Sequence, residues 1–118
     1  KGKNEVEVLH IIGDVKDRNV IVVDDIIDTA GTLISTVRGL KEAGARRVFA
    51  GTVHAVISGP AIERLNNSPI ERIFCTNTLP LDEKVAKCPL LTPLSMAKLL
   101  AEAIQRIHEG TSVSSLFV

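Results

Sequence analysis

The sequence predicts an α/β fold with a mostly parallel β-sheet. Residues 20–23 (Val-Ile-Val-Val) are four consecutive β-branched residues, a run typical of a strand buried on both faces of a parallel sheet. A helical pattern and a second apolar run follow within about thirty residues, which is the length of a βαβ unit with a right-handed crossover. The chain has 118 residues, so we predict a single domain over residues 1–118.

The first elements follow from local patterns. Val6 and Val8 alternate with charged residues, which predicts a strand near the beginning of the sequence. A charged turn over residues 14–19 precedes the 20–23 strand, and a polar loop over residues 24–32 follows it. The turn and the loop thus mark the two ends of the second strand.

An amphipathic helix should follow the polar loop. Leu33, Val37, Leu40 and Ala43 recur at helical spacing, and Gly44 stands where a left-handed C-terminal cap belongs. A second buried strand is predicted over residues 47–52, around Val48, Phe49 and Ala50. These elements complete the first βαβ unit.

The second half repeats this order less cleanly. Pro60 suits the first position of a helix that continues to Leu65. Residues 71–76 predict a third strand, and Leu90 and Leu91 a short fourth one. The repeated alternation of strands and helices supports the α/β class.

The longest helix is predicted near the end of the sequence. Ser95 is its expected N-terminal cap, and Gly110 ends it. One apolar stripe runs along this helix, formed by Met96, Leu99, Leu100, Ala103, Ile104 and Ile107. The tail after Gly110 becomes apolar again at Val113, Leu116 and Phe117, so we expect an oligomer contact there.

Composition argues against several classes of partner. Fourteen basic residues balance fourteen acidic ones, which gives no electrostatic reason to expect nucleic acid or an anionic membrane. There is no Trp or Tyr and only three Phe, so a base-stacking surface is not expected. No signal peptide opens the sequence, and no apolar run approaches the length of a membrane span. We expect a cytoplasmic protein.

Two cysteines, Cys75 and Cys88, lack the spacing of a metal site. No CxxC is present, and no paired His follows either one. We expect partly buried thiols in a reducing compartment and assign no metal-ligating residue.

The polar loop over residues 24–32 carries the expected chemistry. It follows a strand and opens a helix, and ligands of open α/β sheets bind at the carboxyl ends of strands. Thr29, Ala30, Gly31 and Thr32 offer small side chains, hydroxyls and free amides at a helix N-terminus, where a phosphate is favoured. Gly31 also lacks the Cβ that would block close approach of a ligand.

Asp24 and Asp25 would repel a phosphate, so they need another partner. Vicinal ribose hydroxyls are suitable donors to carboxylates, and a hydrated Mg²⁺ shared with phosphates would also relieve the charge. Asp28 can cap the helix or contact the ligand. The alternative is an acidic turn with an Asp-capped helix, but the apolar strand before it and the Thr-Ala-Gly-Thr run after it favour a ribose 5-phosphate site. No Lys follows the last Gly, so this is not a Walker loop.

The loop resembles the phosphoribosyl pyrophosphate-binding signature of the type I phosphoribosyltransferase fold. Within that superfamily the sequence is similar to the ribose-phosphate pyrophosphokinases, and the resemblance extends over essentially all of the chain. It is carried outside the loop by residues 8–15, 41–45, 57–61, 65–68, 99–108 and 112–117.

The resemblance implies roles for matching positions. Asp24 and Asp25 would bind the ribose hydroxyls of ribose 5-phosphate. Its 5-phosphate would be bound by Asp28, Thr29, Ala30, Gly31 and Thr32. Ser112, Ser114 and Phe117 match a C-terminal stretch that helps to line a phosphate and ADP regulatory site between subunits in some members.

The resemblance also implies a larger enzyme. This chain would be the C-terminal half of a two-domain transferase that converts ATP and ribose 5-phosphate to phosphoribosyl pyrophosphate and AMP for nucleotide biosynthesis. The other half would supply most contacts to ATP and Mg²⁺. The family's catalytic Lys and Arg lie on a loop before the segment where this sequence starts, so no catalytic residue is assigned here. A homo-oligomer is implied, a hexamer of full-length chains.

Two alternative functions share the loop. A type I phosphoribosyltransferase would consume the same product, but the C-terminal resemblance here is to the synthetases. A non-catalytic synthetase-associated protein would be expected to have a degraded signature, whereas this one is intact. His54 follows the second predicted strand and is either a ligand contact or a turn cap.

Overall fold

The computed structural model describes residues 10–118, and its sheet is entirely parallel. The strand predicted around Val6 and Val8 lies outside the described residues. Four strands lie in the order β1-β2-β3-β4, each parallel to its neighbour. The elements are β1 (Asn19–Ile27), α1 (Gly31–Glu42), β2 (Arg47–Ala55), α2 (Ala61–Asn66), β3 (Ile70–Thr76), α3 (Asp82–Lys87), β4 (Leu91–Leu94), α4 (Ala97–Glu109) and a 3₁₀ helix (Ser114–Phe117). The predicted α/β class is confirmed.

The first two strands are longer than their apolar runs. β1 continues to Ile27, so Asp24 and Asp25 lie in the strand and not in a loop. β2 continues to Ala55, and Ile27 pairs with that residue. Parallel pairing with β2 therefore continues past the acidic residues of β1 to Ile27, and the exposed carboxylates need not be desolvated. The same extension places His54 inside β2, whereas the sequence predicted it after the strand.

The second half departs from the prediction in three places. α3 was not predicted, because its six residues contain Val85 as the one large apolar side chain and so show no helical period. β4 begins at Leu91 and runs to Leu94, past the predicted end. Pro60 immediately precedes α2 and is not its first residue.

The hydrophobic core lies on one face of the sheet. Strand order follows chain order, so right-handed crossovers place α1, α2 and α3 on the same face. Val37 of α1 and Leu65 of α2 are fully buried there against Val48 of β2 and Ile73 of β3. Cys75 and Cys88 belong to the same core. Aliphatic side chains and two thiols thus fill the space beneath the helices, in keeping with the small number of aromatic residues.

Within residues 10–118, the opposite face of the sheet carries exposed apolar side chains. Ile21 is 56% exposed and Val23 is 76% exposed. Val53 of β2 and Leu94 of β4 are also exposed. The prediction that residues 20–23 are buried on both faces is therefore wrong for the described residues, because all three crossover helices occupy the other side.

α4 ends at Gly110 as predicted, but its N-cap is Met96 and not Ser95, and its apolar stripe is exposed. The N–H of Ala97 donates to the Ser95 hydroxyl at 3.2 Å, and Gly110 ends the helix with φ 69°. No residue of α4 is buried, and Leu100, Ile104 and Ile107 are each more than half exposed. Within residues 10–118, no helix combines the length and the apolar character that crossing a membrane requires.

Candidate functional site

A cleft of about 260 Å³ lies where β1 ends and α1 begins. Every predicted substrate-binding residue except Asp25 lines it. The lining consists of Asp24, Ile26, Ile27, Asp28, Thr29, Ala30, Gly31, Thr32 and Leu33. The structure therefore brings the carboxylate of β1 and the small residues of the helix start into one concave surface. We refer below to residues 28–32 as the 28–32 segment.

A left-handed turn at Ala30 connects the strand to the helix. Ala30 has φ 63° and ψ 7° and is buried, a conformation that a non-glycine residue rarely adopts. Its carbonyl accepts the first helical bond, from the N–H of Ile34 at 3.0 Å. No side chain caps α1, and its first turn holds no acidic residue. The helix N-terminus is thus open to an external anion.

Asp28 is not the cap of α1. Its carboxylate accepts a hydrogen bond from the hydroxyl of Ser58, and its carbonyl accepts one from the Ser58 N–H at 3.1 Å. The backbone N–H groups of Val56 and Ile57 both donate to the carbonyl of Ile27 at 3.0 Å. The connection between β2 and α2 therefore holds the end of β1 and Asp28 in place through these hydrogen bonds.

The backbone of Ile57, in the connection between β2 and α2, is strained. It has φ 50° although it is β-branched, and its side chain is buried. Such a conformation persists only where surrounding contacts enforce it. Left-handed non-glycine residues thus occur on both sides of the Asp28–Ser58 contact, at Ala30 and at Ile57.

Arg64 reaches the segment from α2. Its Nη1 donates to the carbonyl oxygen of Thr29 at 2.9 Å. A Cβ on Gly31 would lie 3.3 Å from the same Nη1, so the missing side chain leaves room for the guanidinium. The sequence pattern did not indicate a role for Ser58 and Arg64, since both lie about thirty residues downstream at a predicted helix start.

The two acidic residues of β1 differ in position. Asp24 lines the cleft and Asp25 does not. The N–H of Asp25 donates to Oδ1 of Asp24 at 2.8 Å, which orients the Asp24 carboxylate. Both residues are exposed, so both can accept hydrogen bonds from a polar ligand.

The described residues do not form a metal site. Within residues 10–118, no three His, Cys, Asp or Glu side chains converge as metal ligands would. Asp28 is also engaged by Ser58. The carboxylates of the cleft therefore do not form a three-ligand protein site for Mg²⁺, which commonly binds through one or two carboxylates together with substrate phosphates.

His54 lies outside the cleft lining. Its Nδ1 is 2.9 Å from the hydroxyl of Thr78, which in turn donates to the carbonyl of Val53 at 3.2 Å. The ring is exposed at the carboxyl end of β2, and His54 pairs with Ile26 of β1. In this arrangement the histidine connects β2 to the turn that follows β3.

The two cysteines are structural core thiols. Cys75 and Cys88 are free and fully buried. Burial raises the pKa of the Cys75 thiol and likewise the pKa of the Cys88 thiol. Neither thiol is activated as a nucleophile, and both are more deeply buried than the partly buried thiols that the sequence predicted.

The predicted regulatory serines lie together in the tail. The hydroxyls of Ser112 and Ser114 are 2.9 Å apart. Arg106 of α4 donates to the Ser112 carbonyl at 2.9 Å and to the Ser115 hydroxyl. Phe117 is 72% exposed. Arg106 thus hydrogen-bonds to the polar part of the tail, while Phe117 lies on the surface.

Comparisons with known proteins identify related sequences. The phosphoribosyl synthetase-associated domain model matches residues 2–118. A ribose-phosphate pyrophosphokinase of Aquifex aeolicus is 54% identical over 114 residues, which is 97% of this chain and 36% of that protein. Ribose-phosphate pyrophosphokinase 3 of Saccharomyces cerevisiae is 47% identical over 114 residues, which is again 97% of this chain and 36% of that protein. The chain spans about a third of the length of these relatives.

A solved structure is similar as well. The crystal structure of phosphoribosylpyrophosphate synthetase from Mycobacterium smegmatis has a TM-score of 0.79 and 42% sequence identity, over 84% of this chain and 33% of that one. These similarities confirm the predicted resemblance and fold. The chain therefore belongs to the phosphoribosyl synthetase-associated domain family.

Proposed function

We propose that this chain is the ribose 5-phosphate-binding part of a ribose-phosphate pyrophosphokinase, the C-terminal half of a two-domain enzyme. The observation that carries the proposal is the cleft in which Asp24 lies beside the uncapped start of α1. A phosphate monoester suits the helix N-terminus, and a carboxylate suits ribose hydroxyls. The names of the relatives support the same substrate class.

The proposed reaction transfers the β,γ-diphosphoryl group of ATP. The 1-hydroxyl oxygen of ribose 5-phosphate attacks the β-phosphorus in line and loses its proton. The bond from the β-phosphorus to the oxygen that bridges it to the α-phosphate breaks, so AMP leaves and phosphoribosyl pyrophosphate forms. This chain contributes by orienting the acceptor, since the amides hold the phosphate and Asp24 and Asp25 hold the ring hydroxyls.

ATP and Mg²⁺ belong to the proposal but not to a site within the described residues. Magnesium, when bound with ATP, would neutralise charge on the transferred group. The carboxylates described above do not form a set of ligands for it, so we assign none of them as a metal ligand. The catalytic Lys and Arg are likewise not assigned to this chain.

The tail is proposed to act in assembly and regulation. Ser112, Ser114 and Phe117 would help to line a phosphate and ADP site between subunits of a homo-oligomer, a hexamer of full-length chains. The paired serine hydroxyls near Arg106 offer donors to an anion, and the exposed Phe117 offers an apolar contact. A cytoplasmic role in nucleotide biosynthesis completes the proposal.

Titration of the chain with ribose 5-phosphate tests the proposal. We expect weak, saturable binding in calorimetry, with amide NMR shifts at the 28–32 segment. Ribose should bind more weakly, because it lacks the phosphate. With ATP, Mg²⁺ and ribose 5-phosphate together, the chain alone should form no AMP. Absence of any ribose 5-phosphate binding, or appreciable AMP formation by this chain, would overturn the proposal.

A further inference from the structure

We propose that Arg64 is the positioning residue of the 28–32 segment: it holds the Thr29 carbonyl, fixes the left-handed turn at Ala30, and brings a positive charge to the phosphate. This inference rests on the proposed function, since it concerns how the same cleft takes ribose 5-phosphate. It assigns a role to a residue on α2, outside the strand and helix that form the cleft.

The contact itself is specific. Nη1 of Arg64 donates to the Thr29 carbonyl at 2.9 Å across 35 positions of sequence. The Thr29 carbonyl belongs to the peptide that joins Thr29 to Ala30. Fixing this peptide restrains the ψ of Thr29 and the φ of Ala30, so it acts on the residue that adopts φ 63°. A non-glycine residue in this region is strained and persists only where surrounding contacts support it.

The turn at Ala30 decides where the helix amides point. α1 begins at the next residue, Gly31, and the N–H groups of its first turn have no side-chain cap. If the Thr29 peptide rotated, these amides would no longer converge on one anion. Arg64 therefore acts on ligand binding through the backbone that it holds.

Gly31 shows that the guanidinium lies close to the helix start. The 3.3 Å between Nη1 and the position of a Gly31 Cβ is tighter than ordinary contact. A Cβ at position 31 would require the guanidinium to move by a few tenths of an ångström. The absence of a side chain at Gly31 thus leaves space both for the ligand to approach the backbone and for the Arg64 guanidinium.

The charge of Arg64 is not taken up by an ion pair within the described residues. The two ion pairs found in residues 10–118 join Arg47 to Glu71 and Arg106 to Glu102. Arg64 is exposed, and the hydrogen bond that its side chain makes within residues 10–118 is the one from Nη1 to the Thr29 carbonyl. A phosphate on the α1 amides would lie near this guanidinium, which favours a doubly charged phosphate over a neutral group.

The test compares Arg64→Gln and Arg64→Lys with Arg38→Gln. Arg38 is an exposed arginine on α1, outside the cleft lining, so its variant removes the same charge elsewhere. Calorimetric titration with ribose 5-phosphate should give binding about tenfold weaker for Arg64→Gln. Arg64→Lys, which keeps a charge and a donor, should recover part of that loss. Arg38→Gln should bind as the unchanged chain does.

Two further readouts separate positioning from general stability. Melting temperatures of Arg64→Gln and Arg38→Gln should agree within a few degrees, and the affinity of Arg64→Gln should depend less on salt. Amide hydrogen exchange without ligand should quicken at Ile34, whose N–H donates to the Ala30 carbonyl, in Arg64→Gln, and less in Arg64→Lys. Equal affinities for Arg64→Gln and Arg38→Gln, or unchanged exchange at Ile34, would overturn the role of Arg64.

Failure of the proposed function gives a different result. In that case the unchanged chain would not bind ribose 5-phosphate at all. The exchange experiment needs no ligand, so it would then decide by itself whether Arg64 orders the turn. Unchanged exchange in Arg64→Gln would reject the inference in either case.

Discussion

Ser58 holds Asp28 through both its backbone and its side chain. The Ser58 N–H donates to the Asp28 carbonyl at 3.1 Å, and the Ser58 hydroxyl donates to the Asp28 carboxylate. The two residues are 30 positions apart, so only the parallel pairing of β1 with β2 brings them together. The contact ties the back of the cleft to the connection between β2 and α2.

The substitution Ser58→Ala should weaken ribose 5-phosphate binding several-fold. It removes the hydroxyl that fixes Asp28 and should cost about 1 kcal/mol of unfolding free energy. Calorimetry and urea unfolding measure the two effects. Ser68→Ala is a matched control, since Ser68 donates to the Leu65 carbonyl at 2.6 Å near the amino end of β3. The prediction fails if both variants change the affinity equally.

Asp24→Asn and Asp25→Asn should weaken ribose 5-phosphate binding more than they affect folding. Each removes a charged acceptor for a ribose hydroxyl, worth roughly 1.5–3 kcal/mol when the bond is made, while both side chains are exposed and little apolar burial is lost. The comparison is between titration and melting temperature. Asp82→Asn, on exposed α3, should leave affinity unchanged. A large fall in melting temperature with unchanged affinity would show a structural role.

Val48→Ala and Val23→Ala should differ in stability because they lie on opposite faces of the sheet. Val48 is fully buried, whereas Val23 is 76% exposed. The loss for Val48→Ala should be about 2 kcal/mol, from lost burial and the cavity left behind. Val23→Ala should change the unfolding free energy by less than about 0.5 kcal/mol. Equal losses in urea unfolding would mean that the exposed face is covered in solution.

The buried thiols should make stability fall at alkaline pH. Burial raises the pKa of Cys75 and Cys88 in the folded protein, so the unfolded chain loses these protons first. Their stabilising contribution is complete below the pKa of an unfolded thiol, about 8.5, and is lost as pH rises above it. The difference in unfolding free energy between the unchanged chain and Cys75→Ala/Cys88→Ala should therefore shrink above that pH. A constant difference between pH 7 and 10 would contradict this expectation.

Arg106→Gln should loosen the C-terminal tail. Arg106 donates to the Ser112 carbonyl and to the Ser115 hydroxyl, so its loss should quicken amide exchange and proteolysis after Gly110. Lys98→Gln, an exposed change on the same helix, serves as the control. In a longer enzyme, removing residues 111–118 should weaken assembly and blunt the response to phosphate and ADP. A truncated enzyme that kept its oligomeric state and regulation would contradict the proposed role of the tail.

Local patterns in the sequence were enough to predict the order of most elements. The β-branched run at residues 20–23, the helical spacing of Leu33, Val37 and Leu40, and Gly110 are local signals, and each corresponds to an element or an end that the structure contains. Such signals depend on backbone preferences and on the periods of helices and strands. The candidate binding residues at positions 24, 25 and 28–32 were predicted in the same way, because they are nearly contiguous and lie between the apolar run of a strand and the start of a helix.

Tertiary structure decided which faces are buried and which distant residues support the cleft. The sequence of residues 20–23 does not show that every crossover helix lies on one side, so it could not predict the exposure of Ile21 and Val23. Ser58 and Arg64 reach the 28–32 segment only because β1 and β2 lie side by side and α2 packs beside α1. Burial and long-range hydrogen bonds depend on which elements become neighbours, and a local pattern carries no information about that choice.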